Sequence, residues 1–402
     1  MKDAKNTRWV PELLAPAGSL EKLKVAISYG ANAVYLGGQK YGLRQAADNF
    51  TIDEIREGVE FAHERGALVY VVLNSFFHDK DFDGLLDFIK ELDDVGIDAV
   101  IVSDPGVINY IAENTGLEIH LSTQASCLNV ESAKLWKKLG VTRIVLGREV
   151  AIADAKKIKE EAGVEIEMFV HGSMCMAYSG NCVISNYTQG RDSNRGGCAH
   201  SCRFEYKIDD GKKELNSYFM SSKDLEGIRL LQDFIDAGID SLKVEGRMKS
   251  PMYAGTISMV YSQALAYYKE HGNFLSDDLL KWEEELTKVT HRAYTQASLV
   301  EEADETSIYN DREHEDKTYR AIGKVAQVVD NEFIVVDVRS AFELGESLEI
   351  MPFTNTHVNV KIDHISNLAG ENFERTRPGA LFKIPYVAGV EVNNLVRAKV
   401  VS

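Results

Sequence analysis

The chain has 402 residues, of which 45% are hydrophobic and 27% are charged, as in ordinary globular proteins. Met1–Val10 lacks the apolar core of a signal peptide, and no run of 18 uncharged apolar residues occurs, so we expect a cytoplasmic protein without a membrane span. The net charge of −17 argues against nonspecific coating of nucleic acid, although an acidic body remains compatible with a local basic face.

Short apolar strands alternate with amphipathic helices over residues 1–273, and helix after helix ends at a glycine. Eight such repeats predict an α/β fold, a TIM-like (β/α)8 barrel. A doubly wound open sheet is the main alternative, but the turn after the first strand, residues 15–19, lacks the GxGxxG pattern. The predicted strands are Glu12–Ala15, Ala33–Gly37, Leu68–Asn74, Ala99–Ser103, Glu118–Thr123, Arg143–Gly147, Glu165–Val170 and Ser241–Glu245.

A cysteine-rich insertion, residues 172–222, separates the seventh strand from its helix. Its second half predicts a β-hairpin, Phe204–Asp209 and Glu214–Met220. Because the loops that follow the strands of a TIM barrel form its active-site face, we expect this insertion to overhang the mouth of the barrel.

The pattern changes in residues 274–318, where Asp277–Arg292 predicts an acidic helix that leads into a charged linker. Residues 319–402 then show the periodicity of strands and predict a small β-barrel domain. The six predicted strands are Ile322–Val329, Phe333–Val338, Ser347–Ile350, Asn359–Ile365, Leu381–Pro385 and Leu395–Val400.

Four of the five cysteines, Cys175, Cys182, Cys198 and Cys202, lie within the insertion with the spacing C-x6-C-x15-C-x3-C. Thiolates are ligands of iron–sulfur clusters and of structural zinc, and zinc sites commonly pair ligands two to four residues apart. Only the last two cysteines are spaced in that way, which favours an iron–sulfur cluster over zinc. A third interpretation is that the four cysteines are plain buried or redox-active thiols. The fifth, Cys127, is expected to be a small buried hydrophobe.

The segment Glu167–Ser185, which includes the first two of these cysteines, resembles the signature of the peptidase U32 family. Asn194–Arg203, Leu14–Gly18 and Lys243–Arg247 resemble that family as well. The family name implies a collagenase-like peptidase, yet the chain contains neither HExxH nor GxSxG.

Length and domain count resemble the tRNA-modifying branch of the family. That resemblance implies a [4Fe-4S] protein that forms 5-hydroxyuridine at the wobble position of tRNA without oxygen, with prephenate as the small-molecule hydroxyl donor and a further electron partner. In a ubiquinone-related branch the fourth cysteine lies further downstream, near Ser221–Asp224, where this chain has none. Either Cys202 or a non-protein ligand would therefore complete the set. A noncatalytic RNA-binding scaffold with structural zinc is a third hypothesis.

Polar residues at the ends of the predicted strands are the candidates for catalysis, because functional side chains gather there in TIM barrels. Two arginines among them could clamp a dicarboxylate or simply pair with the neighbouring glutamates, and a histidine could exchange protons or be structural. The catalytic candidates are Arg148, Glu149, His171, Glu245 and Arg247. The basic residues around the last two cysteines, predicted to contact RNA, are Arg191, Arg195, Arg203 and Lys207.

Overall fold

A computed structural model describes most of the chain. The described residues are 8–42, 49–209, 211, 213–310, 314–315, 317–353 and 357–400. In this part of the chain, no helix is long and apolar enough to cross a membrane.

The first three-quarters of the chain alternates strands and helices, and its strands are β1–β12. They span Glu12–Pro16, Ala33–Gly37, Leu68–Leu73, Ala99–Val102, Glu118–Leu121, Arg143–Val145, Glu165–Ser173, Tyr206–Asp209, Glu214–Ser217, Asp224–Glu226, Ser241–Val244 and Tyr294–Thr295, in that order. The helices α1–α10 span Leu20–Ser28, Ile52–His63, Leu85–Val95, Pro105–Asn114, Val130–Lys138, Ile152–Ala162, Ile184–Gln189, Leu231–Asp236, Pro251–His271 and Ser276–Leu286.

Eight parallel strands close into a barrel, as the alternating pattern predicts. The order runs from β1 to β7 and then to β11, which pairs with both β1 and β7. Ser241 of β11 lies opposite Glu12 on one side and Glu167 on the other, so the sheet has no open edge at this point. Closure excludes the doubly wound open sheet, and the TIM-like barrel is confirmed.

Local sequence explains where these elements begin and end. The strands are apolar and buried on both faces, which parallel strands covered by helices require. Side chains of Ser19, Thr51 and Asn129 accept hydrogen bonds from the first turns of α1, α2 and α5. Gly96 and Gly163 end α3 and α6 with positive φ, a conformation that glycine adopts without steric cost. The elements therefore follow from patterns of neighbouring residues.

The insertion leaves the barrel at the end of β7 and contains α7 and the hairpin β8–β9. The hairpin confirms the predicted one, with each strand shorter than expected. Strand β10 was not predicted; it pairs antiparallel with the last three residues of β7, Glu226 lying opposite His171. Because β7 has nine residues, its end extends beyond the barrel and can hold this additional strand.

Helix α10 ends at Leu286, six residues before the predicted end at Arg292. The chain turns there because Arg292 is drawn inward, where it donates to the carboxylate of Asp224 at 2.7 Å and to the carbonyl of Ser222 at 3.0 Å. Ser222 is the last residue of the insertion and Asp224 follows it, and such long-range contacts leave no trace in local periodicity. The boundary of α10 is therefore set by tertiary structure.

The C-terminal residues form a separate antiparallel half-barrel around their own apolar core. Its six strands, β13–β18, span Tyr319–Val329, Phe333–Val338, Ser347–Met351, Val358–Lys361, Ala380–Pro385 and Leu395–Lys399. All six were predicted, and the spatial order is β16-β15-β18-β13-β14-β17. Arg397 of this sheet is fully buried and contacts Glu349 beside it and Glu285 of α10, which joins the two domains.

Candidate functional site

A cavity of about 190 Å³ opens at the carboxyl ends of the barrel strands, and all four clustered cysteines line it. The other polar or charged residues on its walls include Asn74, Ser122, Gln124, Arg148, Lys243, Glu245 and Arg247. The prediction that the insertion overhangs the barrel mouth is therefore confirmed.

Hydrogen bonds fix the segments that carry the cysteines. Asn194 donates to the carbonyl of Cys182 at 3.0 Å, and its own side-chain oxygen accepts from Gln124, beyond β5, at 2.6 Å. The buried hydroxyl of Ser185 accepts from the backbone of Ala199, beside Cys198, at 3.0 Å. These bonds connect three separate parts of the chain, so the cysteines are held by a packed scaffold.

The four cysteines are free thiols; Cys175 and Cys198 are exposed, whereas Cys182 and Cys202 are half-buried. Burial raises the pKa of Cys202 to about 11, and the charges of the other three cysteines add to this rise while Arg203 opposes it. The sulfur of Cys202 thus lies close enough to the other three to be repelled by them as thiolates. A bound cationic group would offset that repulsion.

The two kinds of metal site require different spacings of the sulfurs. In the described part of the chain, one group of three potential ligands has its atoms within 4.8 Å of one another, and it contains no cysteine. Tetrahedral zinc with bonds of about 2.3 Å would hold its sulfurs about 3.8 Å apart. An iron–sulfur cluster binds each thiolate to a different iron and so spreads the sulfurs more widely. Four thiols on one cavity fit the donor set of either group.

Arg203, predicted to contact RNA, lies instead on the wall of the cavity. Its guanidinium donates to the carbonyl of Met174, to the carbonyl of Ser222 at 2.7 Å and to the hydroxyl of Ser221 at 3.0 Å. Met174 precedes the first cysteine of the cluster and Arg203 follows the last, so one side chain joins both ends of the cysteine segment.

The cavity carries more positive than negative charge. Arg148, Lys243 and Arg247 line it, and Glu245 is the carboxylate among its lining residues. Arg148 stacks on the ring of Phe169 at 3.9 Å and approaches Glu245 only to 3.8 Å. Its buried Nε has no hydrogen-bond partner among the described residues. This arrangement suits a small anionic ligand, because a carboxylate can accept two parallel hydrogen bonds from a guanidinium.

Glu149, a predicted catalytic residue, turns away from the cavity. Its carboxylate accepts from the backbone of Ser179 at 2.9 Å and from the hydroxyl of the same residue at 3.3 Å. Ser179 in turn accepts from the backbone of Arg148 at 3.1 Å. Glu149 therefore anchors the insertion to the loop after β6, and the predicted alternative of an Arg148–Glu149 pair is not formed.

His171, the predicted proton-transfer residue, is a buried residue of β7 and does not line the cavity. It packs against the rings of Tyr253, Tyr261 and Tyr294, and its Nδ1 lies 3.3 Å from the hydroxyl of Tyr261. Burial lowers the pKa of His171 to about 3, with Asp224 opposing this and Lys249 adding to it. The structure thus places it as a neutral packing residue, the alternative that the sequence left open.

The remaining residues predicted to contact RNA differ in whether they already form ion pairs within the protein. Arg195 is paired with Asp81 at 2.6 Å, and Lys207 with Glu214 across the hairpin at 2.6 Å. Arg191 is exposed and belongs to none of the ion pairs among the described residues. Neighbouring carboxylates therefore offset the charge of two of these residues, and their contact with RNA stays a prediction.

Lys243 is a cavity residue that the sequence analysis did not single out. It is almost fully buried, donates to Glu167 at 2.6 Å and lies 4.5 Å from the ring of Tyr35. A lysine within the short apolar strand β11 is the signal that could have found it, because charged residues are rarely fully buried unless they are paired.

Comparison with known proteins agrees with this architecture. The profile of Peptidase family U32 matches residues 18–309, and that of the Peptidase family U32 C-terminal domain matches residues 317–397. The chain is 44% identical to tRNA hydroxylation protein P1 of Bacillus subtilis (strain 168), over 86% of each chain. It is 32% identical to tRNA hydroxylation protein P of Escherichia coli (strain K12), over 90% of each.

A third relative carries a different name. The chain is 33% identical to a protein named Collagenase from Porphyromonas gingivalis (strain ATCC BAA-308 / W83), over 70% of this chain and 72% of that one. The two family profiles together cover both domains. The chain belongs to peptidase family U32.

Proposed function

We propose that this protein hydroxylates the wobble uridine of tRNA to 5-hydroxyuridine without oxygen, using prephenate as the hydroxyl source. The observation that carries the proposal is the cavity itself, in which four thiols and an excess of cations meet at the barrel mouth. Two relatives that match 86% and 90% of the chain are named tRNA hydroxylation proteins. Their names support tRNA as the substrate class.

In this proposal Cys175, Cys182, Cys198 and Cys202 hold a [4Fe-4S] cluster. When bound, the cluster would supply electron transfer or an open iron for a ligand. The residues of this chain hold the four thiolates in place and surround them with positive charge. Replacing C5–H of uridine by C5–OH removes two electrons and two protons from the base and water together. A hydroxyl group that leaves prephenate at the level of water does not take up these electrons, so the electron partner in this proposal is a two-electron acceptor.

The cations of the cavity would bind the hydroxyl donor. Prephenate carries two carboxylates, and Arg148 and Arg247 lie on the same cavity wall as Lys243. Arg148 is already oriented by its stacking on Phe169, so little side-chain freedom would be lost when an anion binds. Tyr35 donates to Glu245 at 3.3 Å, which leaves that carboxylate hydrogen-bonded within the site.

Nucleoside mass spectrometry of tRNA tests the substrate. A strain without the gene should lose 5-hydroxyuridine and the nucleosides derived from it, and the intact gene should restore them under anaerobic growth. Cys198→Ala should fail to restore them, whereas Cys127→Ala is the matched control because Cys127 is buried in the barrel core. Unchanged wobble nucleosides in the deletion strain would contradict the assignment to tRNA.

Metal analysis of anaerobically purified protein tests the cofactor separately. We expect iron and acid-labile sulfide in the intact protein and in Cys127→Ala, and their loss in Cys198→Ala. Stoichiometric zinc without sulfide would contradict the cluster and support the scaffold hypothesis.

A peptidase is the second candidate, because one relative is named Collagenase. It predicts cleavage of gelatin by purified protein and loss of that cleavage in Arg148→Leu. We favour hydroxylation because four thiols around one cavity suit the binding of a cluster, whereas a peptidase needs a single activated nucleophile.

A further inference from the structure

Two tyrosines of the insertion are the most exposed large apolar side chains in the described part of the chain. Tyr187 is 87% exposed and Tyr178 is 62% exposed. They flank Cys182 in sequence, which itself lines the cavity. Largely solvated rings contribute little to folding, and exposed apolar groups beside a cavity are candidates for an interaction surface.

The backbone that carries these rings is anchored even though the rings are not. The carbonyl of Tyr178 accepts from Asn181 at 3.0 Å, and the next residue, Ser179, is held by Glu149. Tyr187 lies on α7, whose neighbouring residue Thr188 donates to the buried Ser201 at 2.7 Å. Both rings therefore project from fixed positions, which limits the ordering cost of a contact.

The charge around the two rings differs from that of the rest of the molecule. Residues 172–203 contain three arginines and a single acidic residue, Asp192, in a chain that has 62 acidic residues and a net charge of −17. Because acidic residues are scarce in this segment, it repels a polyanion less than an average stretch of this acidic chain does. The complementarity favours a nucleic acid over another acidic protein.

We propose that Tyr178 and Tyr187 form a stacking surface for unpaired RNA bases next to the nucleotide that enters the cavity. This inference rests on the proposed function and adds the residues that would bind the single-stranded loop of the tRNA. Proteins recognise single-stranded RNA loops largely by stacking splayed bases on aromatic side chains. A loop would therefore bind here better than a continuous duplex, whose bases are already stacked.

Fluorescence anisotropy with the anaerobic full-length holoprotein tests the surface. The probes are a labelled tRNA anticodon stem-loop and a fully paired RNA duplex of equal length. We expect tighter binding of the stem-loop, and binding of that probe weakened about 5- to 100-fold in Tyr187→Ala and Tyr178→Ala. Tyr187→Phe keeps the ring and should bind as the intact protein does.

Trp9→Ala is the control for exposed aromatic residues in general. Trp9 is 51% exposed but precedes β1, at the opposite end of the barrel from the cavity. Its replacement should leave affinity unchanged. Unaltered affinity of both tyrosine variants would overturn the stacking surface while leaving the proposed function intact. Failure of the intact holoprotein to bind either RNA would instead count against the proposed function.

Discussion

Replacing Arg203 by methionine should loosen the cysteine segment without unfolding the barrel. The guanidinium donates three hydrogen bonds, to the carbonyls of Met174 and Ser222 and to the hydroxyl of Ser221. Methionine preserves most of the side-chain volume but donates none of them. The segments that hold the first and last cysteines would then lose the side chain that joins them.

The cost can be worked from these contacts. A hydrogen bond from a charged donor contributes about 1.5–3 kcal/mol, and the contributions of one group are not additive. Arg203 is half-buried, so water can replace part of what is lost. We expect the free energy of opening the insertion to fall by about 2–4 kcal/mol, since two carbonyls lose a partner. At about 1.4 kcal/mol per factor of ten, this corresponds to a change of about 30-fold to several hundred-fold.

Amide hydrogen exchange measured by mass spectrometry resolves this local opening. In apoprotein, peptides from residues 172–203 should exchange faster by that factor in Arg203→Met, whereas peptides from β1–β4 should not change. Arg191→Met is the matched control, because Arg191 belongs to the same segment but is exposed. It should alter the opening free energy by less than about 0.5 kcal/mol. Equal exchange in the two variants would refute the structural role of Arg203.

Three further changes test other parts of the structure. Arg397→Met removes the guanidinium that lies between the buried carboxylates of Glu285 and Glu349, which keep Lys288 and His357 as partners. The loss of its charged hydrogen bonds should lower the urea unfolding free energy of the whole chain by about 1.5–3 kcal/mol, and a change below about 1 kcal/mol would contradict this. Burial raises the pKa of Glu226 from 4.5 to about 7, so its protonated form stabilises the fold below pH 4.5 and this contribution is lost as pH rises through 7. The unfolding free energy of Glu226→Gln should therefore exceed that of the parent above pH 7. A difference between the two proteins that does not depend on pH would disprove the linkage. Gly180→Ala would place a Cβ 2.1 Å from the carbonyl oxygen of Gln124 and should reduce the iron bound per chain. Gly190 also has a positive φ, but no atom lies within 4 Å of its Cβ position, so Gly190→Ala should retain the iron. Equal iron contents in the two variants would exclude the clash.

The sequence by itself determined the barrel, the half-barrel and the gathering of the cysteines at the mouth. Strand and helix periodicities and helix caps depend on residues close in sequence, so they are readable without a structure. The position of the insertion after the seventh strand placed Cys175 and its partners at the mouth, because all parallel strands of a barrel end on the same side.

Only the tertiary structure decided which polar side chains face the cavity. Glu149 binds Ser179, 30 residues away in sequence, and Arg195 binds Asp81, 114 residues away. His171 is covered by the rings of Tyr253, Tyr261 and Tyr294, which are distant from it in sequence. The partner of a side chain at the end of a strand depends on distance and burial in the folded chain. Spacing along the sequence does not encode those distances.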